Sequence, residues 1–124
     1  MEKKKIAGCL FLDSGKILLV KRAVEQCWEL PGGKVEEGEE PEVAALREAV
    51  EEINVKAEII QQFDTYEFVK DDVRYENIVF EAVIKEGSPQ ANPSEGIAEV
   101  EWIPLEKLDQ YTLSPNIELL KEDL

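Results

Sequence analysis

Residues 33–55 read GKVEEGEEPEVAALREAVEEINV, and the spacing of charge within them decides what this chain builds. Gly33 is followed by Glu39, then by the pairs Arg47-Glu48 and Glu51-Glu52. Pro41 suits the first turn of a helix, where its missing N–H leaves no bond unmade, and the periodicity predicts a helix over 41–53. On that helix Glu48, Glu51 and Glu52 stand at i, i+3 and i+4 and share one face. With Glu48 at zero and about 100° per residue, Glu51 falls near −60° and Glu52 near +40°. Val43, Leu46, Val50 and Ile53 cluster at roughly 140–220° on the same wheel. The expected arrangement is an apolar stripe in the core and, diametrically opposite, three carboxylates. Ala44 and Ala45 fall on the carboxylate side, where small side chains leave room for a ligand.

Three like charges so close repel one another and push pKa values up unless a cation sits among them. Oxygen-only ligands suit a hard ion, Mg²⁺ or, as a substitute, Mn²⁺. With 28 acidic residues in 124, a merely solvated glutamate face is the competing explanation. Arg47, four residues before Glu51, argues against it, because an ion pair at that spacing orients the carboxylate. So does Trp28-Glu29-Leu30-Pro31-Gly32-Gly33, which leads toward the helix with two glycines where backbone can approach a metal or phosphate closely.

Composition removes several classes of function. One hundred and twenty-four residues make a single domain, 1–124, large enough for a real core. The chain is 44% hydrophobic yet has no apolar run near the ~18 residues of a membrane span, so no membrane partner is expected. The start, Met1-Glu2-Lys3-Lys4-Lys5, leads into a short strand-like run rather than a signal peptide's apolar segment. Two cysteines, Cys9 and Cys27, are too few for a disulfide scaffold and fit a reduced, cytoplasmic setting. The absence of histidine excludes Ser-His and Cys-His catalysis and histidine metal sites. A net charge of −14 argues against nucleic-acid binding, and an anionic nucleotide would need metal ions and local cations to be held.

The remaining chain reads as alternating strands and turns, without linker or repeat. Strands are expected over 5–12 and 16–21, joined at Asp13-Ser14-Gly15, a hairpin signal. Further strands are expected over 55–61, 65–70, 74–84 and 100–103, with a Gly- and Pro-containing loop over 86–95. A helical turn follows over 104–108. Ser114-Pro115 has the N-cap and N1 chemistry of a last helix reaching residue 120. The fold class is α/β (α+β): a central mixed sheet with helices on both faces.

Residues 33–55 resemble the Nudix box, G-x5-E-x7-R-E-U-x-E-E-x-G-U with U bulky and aliphatic. Gly33, Glu39, Arg47, Glu48, Glu51, Glu52 and Val55 match. Ala49 stands where a bulky aliphatic is usual, which loses packing. Asn54 replaces the glycine after the helix, and asparagine is the next-best residue for a left-handed C′ position. The resemblance implies an α/β/α sandwich. It also implies Glu51 and Glu52 as metal ligands, Glu48 as ligand or general base, the Gly32 carbonyl as a further ligand, and Glu39 and Arg47 as organisers. The chemistry it implies is hydrolysis of a nucleotide phosphoanhydride. Such a bond is kinetically inert because its charged oxygens repel nucleophiles, and bound cations screen that charge and acidify a coordinated water.

Outside the box, the family places an acidic residue in the loop before a Glu-Trp strand. That strand is Glu101-Trp102 here, and Glu95 is favoured over Glu99 as an additional metal ligand. Arg22, at a strand end, and Lys34, after the glycine pair, are candidate phosphate contacts. Trp28 reads as a packing residue and Cys27 as chemically idle. The segment Tyr111 to Ile117 resembles the C-terminal part of MutT-like triphosphate pyrophosphohydrolases, so Asn116 is the candidate for base contact, with helix capping by Ser114 or Asn116 as the alternative. A nucleoside triphosphate, cleaved to monophosphate and pyrophosphate, is therefore the expected small-molecule substrate. The rivals are ADP-ribose, whose hydrolases carry a proline shortly past the box where this chain has none, and a dinucleoside polyphosphate, for which Tyr75 lies near the usual tyrosine. A non-catalytic nucleotide-binding domain is opposed by the intact carboxylates, and a Ca²⁺ module lacks alternating Asp/Asn ligands. Monomer and homodimer are both compatible with the sequence.

Overall fold

The structure, a computed structural model, describes residues 1–124. Seven strands form one mixed sheet: β1 (Glu2–Asp13), β2 (Lys16–Arg22), β3 (Trp28–Glu29), β4 (Gly32–Lys34), β5 (Lys56–Lys70), β6 (Val73–Glu86) and β7 (Ile97–Pro104). The order is β3-β2-β1-β6-β5, with β4 paired to β1 and β7 to β2. Only β1 and β6 run parallel. A parallel pair cannot be closed by a tight turn, and here the chain between them carries three strands, helix α1 (Pro41–Ile53) and β5. The two hairpins with two-residue turns, β1–β2 and β5–β6, turn on residues with positive φ, Ser14-Gly15 and Asp71-Asp72, the backbone that matches strand twist.

Successive side chains of the central strands feed opposite faces. Cys9, Phe11, Leu18 and Val20 join a cluster under α1, whereas Leu10, Ile17 and Leu19 join one under helix α2 (Pro115–Leu120). Both faces are covered, which is why these strands read as unbroken apolar runs. Each fully buried aliphatic side chain contributes roughly 1.5–3 kcal/mol relative to exposure. The α/β/α sandwich expected from the box is the fold that forms.

Helix α1 corrects the helical-wheel expectation. Its buried residues are Ala44, Ala45, Ala49, Glu52 and Ile53, whereas Val43 and Val50 are exposed. The helix thus rests on the sheet through the side that carries the alanines and the carboxylates. Small side chains let it approach the strands closely, and that approach draws Glu52 into the interior instead of pointing it at solvent. Ala44 and Ala45 leave no room for a ligand: they are fully buried packing residues. Ala49 likewise packs fully in the core beneath the helix. Asn54 adopts φ 58° and ψ 42°, and its N–H donates to the Val50 carbonyl, so the helix ends in the left-handed cap that asparagine allows.

Other boundaries move for tertiary reasons. The two strands expected over 55–61 and 65–70 are one, β5, whose pairing with β6 absorbs register shifts between Lys56 and Ala57, Ile59 and Gln61, and Gln62 and Asp64. The loop over 86–95 holds a 3₁₀ turn, Pro93–Glu95, begun by the Asn92 side chain accepting from the Ser94 N–H. The short strands β3 and β4 have no propensity signature, since they exist only through pairing with β2 and β1. Ser114 stands at the start of α2 but its side chain makes no capping bond.

Candidate active site

Two guanidinium groups organise the carboxylates of α1. Arg47 Nε and Nη2 donate to the two oxygens of Glu39 at 2.8 and 3.0 Å, a bidentate grip. Its Nη1 donates to Glu48 at 3.0 Å and to Glu51 Oε2 at 3.0 Å, and Nη2 reaches the Lys34 carbonyl at 3.1 Å. Arg22, at the end of β2, serves the inner end. Its Nη1 donates to Glu52 Oε2 at 2.6 Å, its Nη2 to the Gly32 carbonyl at 2.9 Å, and its Nε to Glu29. The Gly32 N–H closes this network by donating to Glu52 Oε1 at 2.9 Å.

The glycine pair is required by contact. A Cβ on Gly32 would lie 2.4 Å from the Ala7 carbonyl oxygen, and one on Gly33 would lie 2.7 Å from the Glu48 carboxyl carbon. Gly33 therefore fixes how near the Glu48 carboxylate comes to β4. Burial pushes the Glu52 carboxyl up to about 7 despite Arg22 and the Gly32 N–H, and burial also raises Glu48. Glu39 behaves oppositely: the Arg47 hydrogen bonds hold it down at about 2.

The residues singled out from sequence distribute as follows. Arg47, Glu48, Glu51, Glu52, Glu39, Gly32, Gly33 and Arg22 all meet in these two networks. Arg22 is thereby not a solvated strand-end arginine, since three acceptors hold its guanidinium. Lys34 is exposed, and only its carbonyl engages the network. Glu95 is exposed in the 3₁₀ turn and Glu99 pairs with Lys21 at 3.4 Å. The loop carrying Glu95 is tied to the last turn of α1 by Asn92, whose N–H donates to the Glu52 carbonyl at 3.0 Å and whose Nδ2 donates to the Glu51 carbonyl at 2.8 Å. Asn116 is buried, and its Oδ1 accepts from the Ser114 hydroxyl, so neither side chain caps the helix. Trp28 is a packing residue, buried edge-on against Tyr111 with ring centroids 5.5 Å apart.

Three participants escaped the sequence reading. Glu29 gave one signal, an acidic residue among Trp28, Leu30 and Pro31. Asn92-Pro93-Ser94 signals a turn but not its docking on α1. Asn77, directly before the apolar Ile78-Val79-Phe80 of β6, gave no signal beyond being a weak strand former. It lines a cavity of about 190 Å³ whose wall also includes Arg22, Gly32, Gly33 and Asn116.

No three acidic or cysteine side chains already converge on a ready-made metal cage. The carboxylates turn instead onto Arg22 and Arg47. The donor set nevertheless fits a hard divalent ion: three carboxylates and the Gly32 carbonyl, all oxygen, with Glu52 and Glu48 raised by burial that a nearby cation would offset.

With this geometry in place, the comparisons are consistent. The NUDIX domain model matches residues 2–123. A Bacillus subtilis (strain 168) protein provisionally assigned as an 8-oxo-dGTP diphosphatase is 35% identical over 104 residues, 84% of this chain and 67% of that protein. The 8-oxo-dGTP diphosphatase of Escherichia coli (strain K12) is 34% identical over 73 residues, 55% of this chain and 57% of that enzyme. Among solved structures, the MutT NUDIX hydrolase from Burkholderia pseudomallei superposes with a TM-score of 0.91 at 25% identity, covering 100% of this chain and 99% of that one. The chain belongs to the NUDIX family, as a pyrophosphohydrolase of the MutT-like kind. Hydrolases of this family use divalent metal ions. No helix is long and apolar enough to cross a membrane.

Proposed function

We propose that this single-domain protein hydrolyses a nucleoside triphosphate to the monophosphate and pyrophosphate with Mg²⁺, Mn²⁺ serving as a substitute. The observation that carries this reading is the gathering of Glu48, Glu51, Glu52 and the Gly32 carbonyl beside the cavity that Arg22, Gly32 and Gly33 line. Glu51, Glu52 and the Gly32 carbonyl would hold the ion, with Glu95 as a further ligand and Glu48 as ligand or proton acceptor. When bound, the ion neutralises phosphate charge and acidifies the attacking water. Arg47, itself fixed by Glu39, keeps Glu48 and Glu51 oriented. The atoms that Arg22 grips, Glu52 Oε2 and the Gly32 carbonyl, are ligand atoms in this reading, so loading the site frees the Arg22 guanidinium for phosphate oxygens. Lys34, exposed beside the glycine pair, is the second phosphate contact. The names of two relatives, both 8-oxo-dGTP diphosphatases, point to oxidised deoxynucleotides and a sanitising role.

The second reading, a nucleoside diphosphate joined to another group such as ADP-ribose or a second nucleoside, draws on Tyr75, which lines the cavity stacked on Phe68. Product analysis separates the two. Purified protein is given canonical and oxidised (d)NTPs, ADP-ribose and a dinucleoside polyphosphate, with Mg²⁺, with Mn²⁺ and with chelator. Metal-dependent release of monophosphate and pyrophosphate from a triphosphate is the expected result. Turnover confined to ADP-ribose or the dinucleotide would overturn the triphosphate assignment and keep the site. Binding without turnover of any substrate would favour a non-catalytic domain.

A further inference from the structure

The cavity beside the carboxylate helix is lined by charged, amide and aromatic side chains. Arg22, Glu29 and Lys70 supply charge, and Asn77 and Asn116 supply two neutral amides. Asn77 lies on β6 between β1 and β5, opposite Ile6 and Tyr66, so the strand ladder occupies its backbone. Its side chain shares a sheet face with Tyr75 and Val79, and Val79 is fully buried under α2. Asn77 is 3% exposed, and its carboxamide makes no hydrogen bond within the protein. Yet no fully enclosed side-chain polar atom in the molecule lacks a partner. Both hold only if the Asn77 amide opens onto the cavity. An amide held by the strand ladder with its donor and acceptor both open to the cavity is set to hydrogen-bond a ligand there.

The chemistry around Asn77 restricts that ligand. Ile6 and Ala7 add apolar wall beside the two amides, while the cations of the wall, Arg22 and Lys70, are side chains for phosphate oxygens rather than for a base edge. A planar heterocycle fits. Phe68 and Tyr75, cross-strand neighbours stacked at 5.2 Å with 15° between their planes, give the cavity an aromatic wall. A carboxamide offers a donor and an acceptor side by side, the complement of a nucleobase edge. Asn116 is the less versatile partner, since the Ser114 hydroxyl already occupies its Oδ1.

We infer that Asn77, opening from the centre of the sheet into this cavity, is the residue that reads the hydrogen-bonding edge of the substrate's nucleobase. The inference rests on a nucleotide being the substrate, and on nothing about which phosphate bond is broken. Its test needs no turnover: calorimetric binding of AMP, GMP, CMP and UMP to the wild-type protein, to Asn77→Leu and to Asn77→Asp, with thermal melting of each. The wild type should bind one base in preference. Asn77→Leu should stay folded and bind that base about 10- to 100-fold more weakly, flattening the preference, because the base edge is left unpartnered. Asn77→Asp removes the donor and should shift preference toward bases that present one. In turnover the loss should fall on KM, with kcat little changed. Base preference unchanged in both variants would overturn the inference. Monophosphate binding without triphosphate turnover would remove the proposed reaction and leave the role of Asn77 standing. Turnover with no base preference in the wild type would do the reverse.

Discussion

Arg47 and Arg22 do similar work at the two ends of one helix face, under opposite physical conditions. Arg47 lies toward solvent, and its hydrogen bonds dominate: Glu39 is held far below the ordinary carboxylate range by that grip. Arg22 lies inward, with side-chain exposure of 18% against 5% for Glu52. There desolvation dominates, and even a guanidinium at 2.6 Å leaves Glu52 raised to about 7. The outer arginine stabilises charge that would exist anyway, whereas the inner one permits a charge the interior opposes. A divalent cation would add most where the second situation holds, which is why the proposed metal site draws on Glu52 and the Gly32 carbonyl.

Glu52→Gln tests the inner network most severely. Turnover should fall roughly 10²–10⁴-fold, the range for loss of an essential carboxylate. The folded protein above pH 7 should melt no lower than wild type, because the replaced group was disfavoured as an anion. Near-normal turnover with Mg²⁺ would show that the metal-site reading is wrong.

Arg22→Met should cost about 3 kcal/mol in urea unfolding, the scale for leaving one member of a buried pair alone. Its pH dependence carries a sign. The folded pKa of Glu52 is raised from 4.5 to about 7, so the metal-free wild type is most stable below 4.5 from this group and loses that contribution as pH rises to about 7. Without Arg22 the loss should continue above pH 7. Identical pH profiles for the two proteins would break the contrast between the arginines.

Gly33→Ala probes position rather than charge. A Cβ there would meet the Glu48 carboxyl at 2.7 Å, and the displaced carboxylate should lower turnover about 10²-fold while the fold survives. Unaltered activity would mean that Glu48 has freedom the close contact denies it.

The smallest effect belongs to the outer network. Glu39→Gln should destabilise the protein less than Arg22→Met. The difference from wild type should be full above pH 4.5 and vanish as pH falls through about 2, since the folded pKa is lowered. Salt near 1 M should shrink the Glu39 effect and spare the Arg22 effect, because screening acts on exposed charge. Equal salt sensitivity would contradict the assignment of one network to the surface and the other to the interior.

The box was legible because helical spacing is a local property. Arg47 and Glu51 are four residues apart and meet across one turn whatever the sheet does. The direction in which the helix faces was not legible. The wheel placed Val43 and Val50 inward, and they are outside because alanines and Glu52 make the closer fit to the strands. Arg22 could be read as a cation at a strand end, but its partners are remote in sequence: Glu52 is thirty residues away. Asn77 does not stand out among Arg74, Glu76 and Glu81 of β6, and the cavity that gives it meaning is formed by strands and a helix turn far from it in the chain.

By itself the sequence determined the helix, its left-handed asparagine cap, the grouping of three carboxylates, and the exclusion of histidine chemistry. Each depends on residue type and on spacing within one or two turns of backbone. Tertiary structure decided which side of that helix is buried, which carboxylate is desolvated, and which arginine faces it. It also decided that an amide on the central strand opens into the neighbouring cavity. Burial and long-range pairing set local dielectric and contact geometry, and neither is a property of residues adjacent in the chain.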